Sequence, residues 1–583
     1  MHRLSIAVRR RCYAAVLPSF RVKSVDPAVA SLLASRLGLH PVTAQVLASR
    51  GYATPDAALA FLNPGAAQLH EARLLNDMDR AVRSIEEACR AGKRIAVYGD
   101  YDVDGVTGTA VLTRALRGLG ADVRPFIPHR VGDGYGINAA ALARLKAEEC
   151  ALVVTVDNGT GRSAEIEEAR AGGLDVVVTD HHEPGGAFPG CPVINPKRAD
   201  SRYPFRGLSG CGVAFKLACA LFQGRGRLED PAFKAMLPEL LALVALGTVA
   251  DVVPLVDENR SLVSLGLKAL AASRAPGLRA LLDVADCRGT RVRALDVAFR
   301  IGPRINAAGR IGSAHDALDL LLCEDPAEAA RLATKLDAGN RERQRIERRQ
   351  AEEAFAMAEA DLKRSPGPAL VLAGQDWHPG VIGIVAARVA ETFRLPAALI
   401  TIAGGNARGS ARSHGGIRLH EALERCDAHL LSHGGHAFAA GFTLEPRNVE
   451  PFKEAFLNAV SAQEPGPSAP LEVDAELPID AIHAALAKEI DRFQPSGSGN
   501  EEPVFCAFGV RAAGRPRLMG QAERHLSFFA AGERVSVRAV GFHRADQLPL
   551  LDAPFDLAFT LRPRDGPEGV EILVREILPA AHL

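Results

Sequence analysis

Residues 94–105 read Arg-Ile-Ala-Val-Tyr-Gly-Asp-Tyr-Asp-Val-Asp-Gly, an apolar run that ends in three aspartates at alternate positions, Asp100, Asp102 and Asp104. The same layout recurs downstream. Ala151-Leu152-Val153-Val154 leads into Thr155-Val156-Asp157-Asn158-Gly159, and Asp175-Val176-Val177-Val178 leads into Thr179-Asp180-His181-His182. A fourth acidic site is the single residue Asp251, after Ala250. Continuous apolar runs suit strands buried on both faces of a parallel sheet, whose carboxyl ends form the ligand crevice. Carboxylates gathered there repel one another unless a positive charge sits among them, and a divalent metal is the simplest answer.

The surrounding pattern predicts the scaffold. Helical periodicity over 77–89, 106–119, 138–148 and 162–171 alternates with strands over 94–98, 123–127, 151–156 and 175–179. This βαβα alternation predicts an α/β fold with a doubly wound parallel sheet. Residues 25–76 read as small helices punctuated by Pro27, Pro41 and Pro55, and 231–330 read as mostly helical. The charge-dense tract within 325–363 predicts a long, all-round polar helix connecting domains. A second α/β unit follows Ser365-Pro366-Gly367-Pro368, and Glu464-Pro465-Gly466-Pro467-Ser468-Ala469-Pro470 reads as a linker. Alternating segments such as 534–540 and 570–574 predict a small C-terminal β-barrel of oligonucleotide-binding (OB) type. The expected division is 1–76 helical, 77–324 catalytic, 325–365 connecting helix, 366–462 second α/β domain and 471–583 barrel.

Bulk properties exclude more than they assign. A chain of 583 residues exceeds a single hydrophobic core. No stretch holds the roughly 20 unbroken apolar residues of a membrane helix, so no membrane partner is expected. Formal net charge is zero, which leaves any polyanion-binding surface to local patches. Ten cysteines without a Cys-x-x-Cys pair argue against a disulfide framework or zinc module and fit a reducing cytoplasm. The first 24 residues are basic and free of acids, and read as a disordered start rather than a transit peptide.

Asp100, Asp102, Asp104, Asp157, the Asp180-His181-His182 trio and Asp251 offer hard oxygen and imidazole ligands without thiolate, a set that points to Mn²⁺ or Mg²⁺. Two such ions about 3.5–4 Å apart would clamp a phosphate and activate water. A calcium helix-loop-helix is disfavoured because the acid it needs at the distal loop position is missing. An isolated aspartate after a strand is often only a helix cap, so the conjunction carries the assignment.

The Asp180-His181-His182 trio with the upstream Asp-x-Asp-x-Asp-Gly resembles the DHH phosphoesterase superfamily, and within it the single-stranded-DNA-specific exonucleases. The resemblance extends to Gly302-Pro303-Arg304-Ile305-Asn306-Ala307-Ala308-Gly309-Arg310, Trp377-His378-Pro379-Gly380, Gly409-Ser410-Ala411-Arg412-Ser413, Gly434-Gly435-His436-Ala437 and Gly497-Ser498-Gly499-Asn500. It implies two-metal, 5′-to-3′ hydrolysis of single-stranded DNA to 5′-mononucleotides in DNA repair and recombination. Single-strand-binding protein and a helicase would be partners. Asp102, Asp104, Asp157, His181 and Asp251 then fall on metal-ligand positions, and Asp100 and His182 either ligate or orient. Asp104, Asp157, His181 and His182 are the expected catalytic set. Arg304, Asn306 and Arg310, on a loop, are expected to bind substrate phosphate. So are Ser410, Arg412 and Ser413, in a tight turn, with Gly434, Gly435 and His436.

Trp377 is expected to anchor a helix on its sheet rather than stack on a base. Arg511, Arg515, Arg517, Arg524 and Arg538, with Phe528 and Phe529, offer a track for single strands, diluted by interspersed acids. The alternatives are a relative that cleaves short oligonucleotides, cyclic dinucleotides or pyrophosphate, and a catalytically silent nucleic-acid-binding protein.

Overall fold

Five strands form the first sheet: β1 (Arg94–Tyr98), β2 (Val123–Phe126), β3 (Cys150–Thr155), β4 (Asp175–Thr179) and β5 (Val193–Ile194). In this computed structural model they are all parallel, in the order β2-β1-β3-β4-β5. The structure describes residues 20–580 except 130–135, 225, 227, 228, 290, 465–469, 521, 522 and 565–568. Most of the basic N-terminal stretch and of the Pro/Gly linker therefore lie outside the described residues.

Both faces of this sheet are covered, as apolar runs without alternation require. Ile95, Val97, Val154 and Val177 point into one core with α1 (Met78–Arg90), α2 (Val103–Gly118), α5 (Gly210–Gly224) and α6 (Pro231–Ala250). Ala96, Tyr98, Val153, Val176 and Val178 point the other way, against α3 (Ala139–Ala147) and α4 (Ser163–Ala171). The strand order reverses at β1 and β3, so their carboxyl ends flank the switch-point crevice of a doubly wound sheet. The helix expected over 106–119 begins earlier, at Val103, because Asp102 caps it by accepting the Gly105 N–H at 3.1 Å. Among the described residues one helix, α6, has the length and mean hydropathy of a membrane span, although Lys234 and Glu239 interrupt its apolar run. Its residues Leu240 and Ala242–Val249 are nevertheless buried in the protein core.

The chain divides into two compact units, one of residues 20–309, 313–336 and 470–580, the other of 310–312 and 337–464. In the larger unit Phe505–Met519, His525–Ala531, Ser536–Gly541, Val570–Pro579 and Phe555–Pro563 pair in that order, and the last closes on the first. This is a closed five-stranded barrel with one parallel pairing, the OB-like architecture expected. Pro27, Pro41 and Pro55 each open a short helix at a first-turn position, where a missing N–H is harmless. Leu33, Leu47 and Phe61 from those helices share a core with Phe493, Phe555 and Phe559 of the barrel segment.

The smaller unit carries a mixed sheet of β6 (Leu370–Gln375), β7 (Ala397–Ala403), β8 (Asn406–Arg412), β9 (Ser432–Gly435) and β10 (Ala439–Leu444), ordered β9-β10-β8-β7-β6. Only β6 and β7 run parallel. The long helix α7 (Pro326–Arg364) is present, but it is not polar all round. Ala351, Ala354 and Ala358 form a stripe at helical spacing that packs against Leu370, Leu372 and Val385. Small alanines hid this face among the charges. Trp377 is 3% exposed in the same core, its indole N–H donating to Glu353 at 2.8 Å. Gly374 leaves room for it, since a Cβ there would strike the indole ring.

Trp377 is thus an anchor and not a free stacking platform. Trp377→Ala is expected to cost about 3–5 kcal/mol by the cavity it leaves, read as a lowered denaturant midpoint of the smaller unit. Single-strand affinity of the folded variant should stay unchanged, and a selective loss of that affinity would contradict the packing role.

Candidate metal centre and phosphate-binding strands

The strand ends deliver the acids by three local devices. Asp100 sits in the turn after β1, Asp102 caps α2, and Asp104 occupies the first turn of α2. Gly105 permits this tight return, because a Cβ there would lie 2.5 Å from the Asp100 nitrogen. Asp157 follows β3 with φ of 63°, a left-handed conformation that aspartate tolerates better than most residues. His181 and His182 follow β4, and Asp251 stands at the end of α6.

These residues converge. Asp104, His181 and Asp251 place ligand atoms within 4.8 Å of one another, and so do Asp157 with His181 and His182, and Asp100 with Asp102 and Asp157. His181 Nε2 lies 3.1 Å from Asp157 Oδ1 and 3.5 Å from Asp251 Oδ2. Both ring nitrogens of His181 and the Asp157 Oδ1 are buried without a hydrogen-bond partner. Buried polar atoms are rarely left so in a folded protein. Atoms that approach one point without hydrogen-bond alignment suit a shared cation. The donors are carboxylate and imidazole only. Cys211 lies beside Asp104, but burial and the Asp104 charge push its thiol well above its usual range, keeping it protonated. The set therefore fits Mn²⁺ or Mg²⁺.

The electrostatics describe a site that binds protons in place of cations. Burial, then the charges of Asp104, Asp102, Asp251 and Asp100, pushes the Asp157 carboxyl well above the usual carboxylate range. Burial and then Asp104 raise Asp102, and burial with Asp104 and Asp102 pushes Asp251 up to about 8. Burial lowers His181 and favours the neutral imidazole a metal requires. For His182 burial opposes the charge, but the Asp180 hydrogen bond and nearby carboxylates prevail and raise it to about 9.

The structure also assigns supporting roles that residue types did not reveal. Asp180 joins none of these three ligand groups. It accepts the Thr160 N–H at 2.9 Å, the His181 N–H at 2.7 Å and His182 Nδ1 at 2.8 Å, so it orients the histidine pair. Burial opposes its ionisation, yet these bonds and the His182 charge hold it below its ordinary range. Asp104 accepts the Gly210 N–H at 2.6 Å and the Cys211 N–H at 3.1 Å, from the amino end of α5. Gly210 and Gly247 are needed for close approach: a Cβ would lie 2.7 Å from Asp157 Oδ1 at the first and 2.6 Å from Asp104 Oδ1 at the second. The glycines of Ser209-Gly210-Cys211-Gly212 were the visible signal.

The expected phosphate ligands are placed differently from expectation. Arg304, Asn306 and Arg310 lie on a helix, Gly302–Ile311, not on a loop, because Pro303 is tolerated in a first helical turn. The helix sends them in different directions. Arg304 donates to the Val284 carbonyl at 2.8 Å and Arg310 to the Gly380 carbonyl at 3.1 Å. Ser410 and Arg412 lie on strand β8, not in a turn, and Gly409 is there to admit the Phe442 ring. Strand alternation puts Ser410 and Arg412 on one face, with Arg412 Nη1 donating to Ser410 Oγ at 2.9 Å. Ser413 points elsewhere, its hydroxyl donating to the Ile417 carbonyl. A Cβ at Gly383, near the start of helix Ile382–Phe393, would lie 2.9 Å from the Arg412 guanidinium and 3.0 Å from Ser410 Oγ. A helix amino end, a guanidinium and a hydroxyl thus meet at one place. Gly434 pairs with Gly441, which pairs with Ser410 across three strands. Gly435 has φ of 140°, and His436 is exposed beside it.

In the barrel, Phe528 is buried and Phe529 is 41% exposed, so the pair is half core. Arg538 pairs with Glu571 at 3.0 Å, which weakens an arginine track.

Metal binding should depend on pH in a fixed direction. In the metal-free protein Asp251, at about 8, and His182, at about 9, keep protons that the unfolded chain releases at lower pH. The folded state then binds more protons, so its stability falls as pH rises towards 9. A divalent cation replaces those protons. Mn²⁺ is therefore expected to raise the melting temperature more at pH 8.5 than at pH 6.5, measured by calorimetry. An equal or inverted shift would contradict the assigned site.

Comparisons place this geometry among known proteins. Residues 94–248 match the DHH family, N-terminal domain, residues 367–462 the DHHA1 domain, and residues 473–565 the RecJ OB domain. The chain is 36% identical to the single-stranded-DNA-specific exonuclease RecJ of Bacillus subtilis over 88% of its length, and spans 64% of that protein. It is 40% identical to RecJ of Dickeya dadantii, over 78% of this chain and 81% of that one. RecJ of Thermus thermophilus in complex with Mn²⁺ superposes with a TM-score of 0.82 at 34% identity, over 97% of this chain and 80% of that chain. Its Mg²⁺ complex gives a TM-score of 0.75 at 32% identity, over 97% and 79%. Three matched domains, sequence identity over most of the chain and a shared fold agree: the chain belongs to the RecJ family of DHH phosphoesterases.

Proposed function

We propose that this protein is a metal-dependent exonuclease that degrades single-stranded DNA from its 5′ end to 5′-mononucleotides, in DNA repair and recombination. The observation that carries the reading is the convergence of Asp104, Asp157, His181 and Asp251 on shared points at the strand ends. The names of its relatives, single-stranded-DNA-specific exonucleases, support the substrate class and the nuclease activity. The proposed division is an N-terminal helical segment to residue 76, a DHH domain over 77–324, a connecting helix to 365, a DHH-associated domain over 366–462 and an OB-like domain from 471. The barrel and N-terminal helices favour a long strand over dinucleotide substrates. Single-strand-binding protein and a helicase belong to the proposal as partners, and so does a cytoplasmic location, favoured by free thiols at every described cysteine.

Asp100, Asp102, Asp104, Asp157, His181 and Asp251 would hold two Mn²⁺ or Mg²⁺ ions, with His182 beside them. Such ions lower the pKa of a water, polarise the scissile phosphate and stabilise the leaving oxygen. The amides of Gly210 and Cys211 fix the Asp104 carboxylate, so it need not reorient during reaction. Asp180 holds and orients the His182 ring by Nδ1, so that His182 would give a proton to the departing 3′ oxygen of the terminal nucleotide. Arg412 and Ser410, with the adjoining helix amino end, would bind substrate phosphate, and Gly434, Gly435 and His436 extend that surface. Arg304, Asn306 and Arg310 remain proposed contacts from the helix that carries them.

End-labelled oligonucleotides provide the test. Purified protein with Mn²⁺ is expected to release labelled mononucleotide from 5′-labelled single strands and to leave duplexes intact. Asp104→Ala should lower the rate by at least about a thousandfold, given loss of a metal-bound carboxylate. Undiminished label, loss of label from the 3′ end first, or hydrolysis confined to dinucleotides would each overturn the reading. Arg412→Ala is expected to raise KM for 5′-phosphorylated strands about tenfold or more. Equal KM for strands with and without the phosphate in the wild type would remove Arg412 from that role.

A further inference from the structure

The turn Gly497-Ser498-Gly499-Asn500 precedes the barrel and has no part in the metal or phosphate sets. In the structure it grips the chain just beyond Asp251. The Leu255 N–H donates to the Ser498 carbonyl at 2.7 Å. A Cβ at Gly497 would lie 2.7 Å from Leu255 Cδ1, and one at Gly499, where φ is 69°, would lie 3.2 Å from Pro254 Cβ. Both glycines thus serve close approach to Pro254 and Leu255. Gly497 and Asn500 close the turn with two backbone bonds of 3.0 Å.

The turn is itself held rigidly. Asn500 is 2% exposed, donating to the carbonyls of Phe493 at 3.0 Å and Pro495 at 2.8 Å and accepting from Arg50 at 2.8 Å. Arg260, 3% exposed, donates to the carbonyls of Phe61, Arg492, Phe493, Gln494 and Pro495. Between Asp251 and the gripped residues stands Val252, a β-branched residue with φ of 62° and 68% exposure. Such a conformation persists only where the neighbouring chain imposes it, and its exposed side chain supplies no packing to do so. Pro254 and Leu255, held by the turn, supply the constraint.

We propose that the Gly497–Asn500 turn is a positioning element for Asp251, so that seating of the segment ahead of the barrel sets the metal position built from Asp104, His181 and Asp251. The proposal rests on the metal reading of the acidic cluster. Its test uses the full chain, with Mn²⁺ binding measured by calorimetry and hydrogen exchange measured over residues 252–256 without metal. Asn500→Ala is expected to weaken one of two Mn²⁺ sites at least tenfold, leave the other unchanged and speed exchange over 252–256. Asp251→Asn should weaken the same site. Gly497→Ala, a milder change that presses on Leu255, should reproduce the effect in reduced form and decides the matter if Asn500→Ala does not fold. Two sites of wild-type affinity, or both sites weakened in parallel with the melting temperature, would overturn the positioning role. Absence of Mn²⁺ binding by the wild type would instead overturn the metal reading, and the proposal with it.

Discussion

Five carboxylates, those of Asp100, Asp102, Asp104, Asp157 and Asp251, are drawn together at the carboxyl ends of a parallel sheet, where burial and then the neighbouring charges push Asp102, Asp157 and Asp251 up. Much of the surrounding architecture can be understood as a means of tolerating that repulsion. The amino end of Gly210–Gly224 donates two amides to Asp104. Gly105, Gly210 and Gly247 remove the Cβ atoms that would keep the carboxylates apart. Asp180 binds and charges His182, which sets a cation at the rim. What remains unbalanced is the deep part, where burial disfavours charge on His181 and both its ring nitrogens lack a hydrogen-bond partner, and there a divalent cation completes the charge balance.

The same constraint explains why the site sits where the strand order reverses. β1 and β3 are neighbours whose following segments leave on opposite faces, so Asp100 to Asp104 and Asp157 meet without either helix blocking the crevice. Left-handed backbone at Asp157 and Val252 sharpens the turns beside two ligands. Such conformations cost roughly 1–3 kcal/mol each for residues other than glycine and are held by the packing around them.

Much of this was legible in the sequence, for physical reasons. The strands ending at Tyr98, Thr155 and Thr179 are apolar on both faces, which leaves one arrangement open to them, and the acids follow directly. The barrel was legible from alternation. The polar reading of Pro326–Arg364 failed because Ala351, Ala354 and Ala358 are a core stripe too small to stand out against flanking charge. Arg304, Asn306 and Arg310 look like loop residues because Gly302-Pro303 resembles a break, although proline opens helices readily. Gly409 suggested a turn, whereas its purpose is room for Phe442 within a strand. The amides that hold Asp104 are marked only by the glycines around them, since a backbone donor belongs to every residue but proline.

Anomalous diffraction from crystals grown with Mn²⁺ tests the central claim most directly. The account predicts two strong peaks, one within bonding distance of Asp104, His181 and Asp251 and one among Asp100, Asp102 and Asp157. Absence of a peak at these carboxylates, or Mn²⁺ bound only elsewhere on the protein, would contradict it.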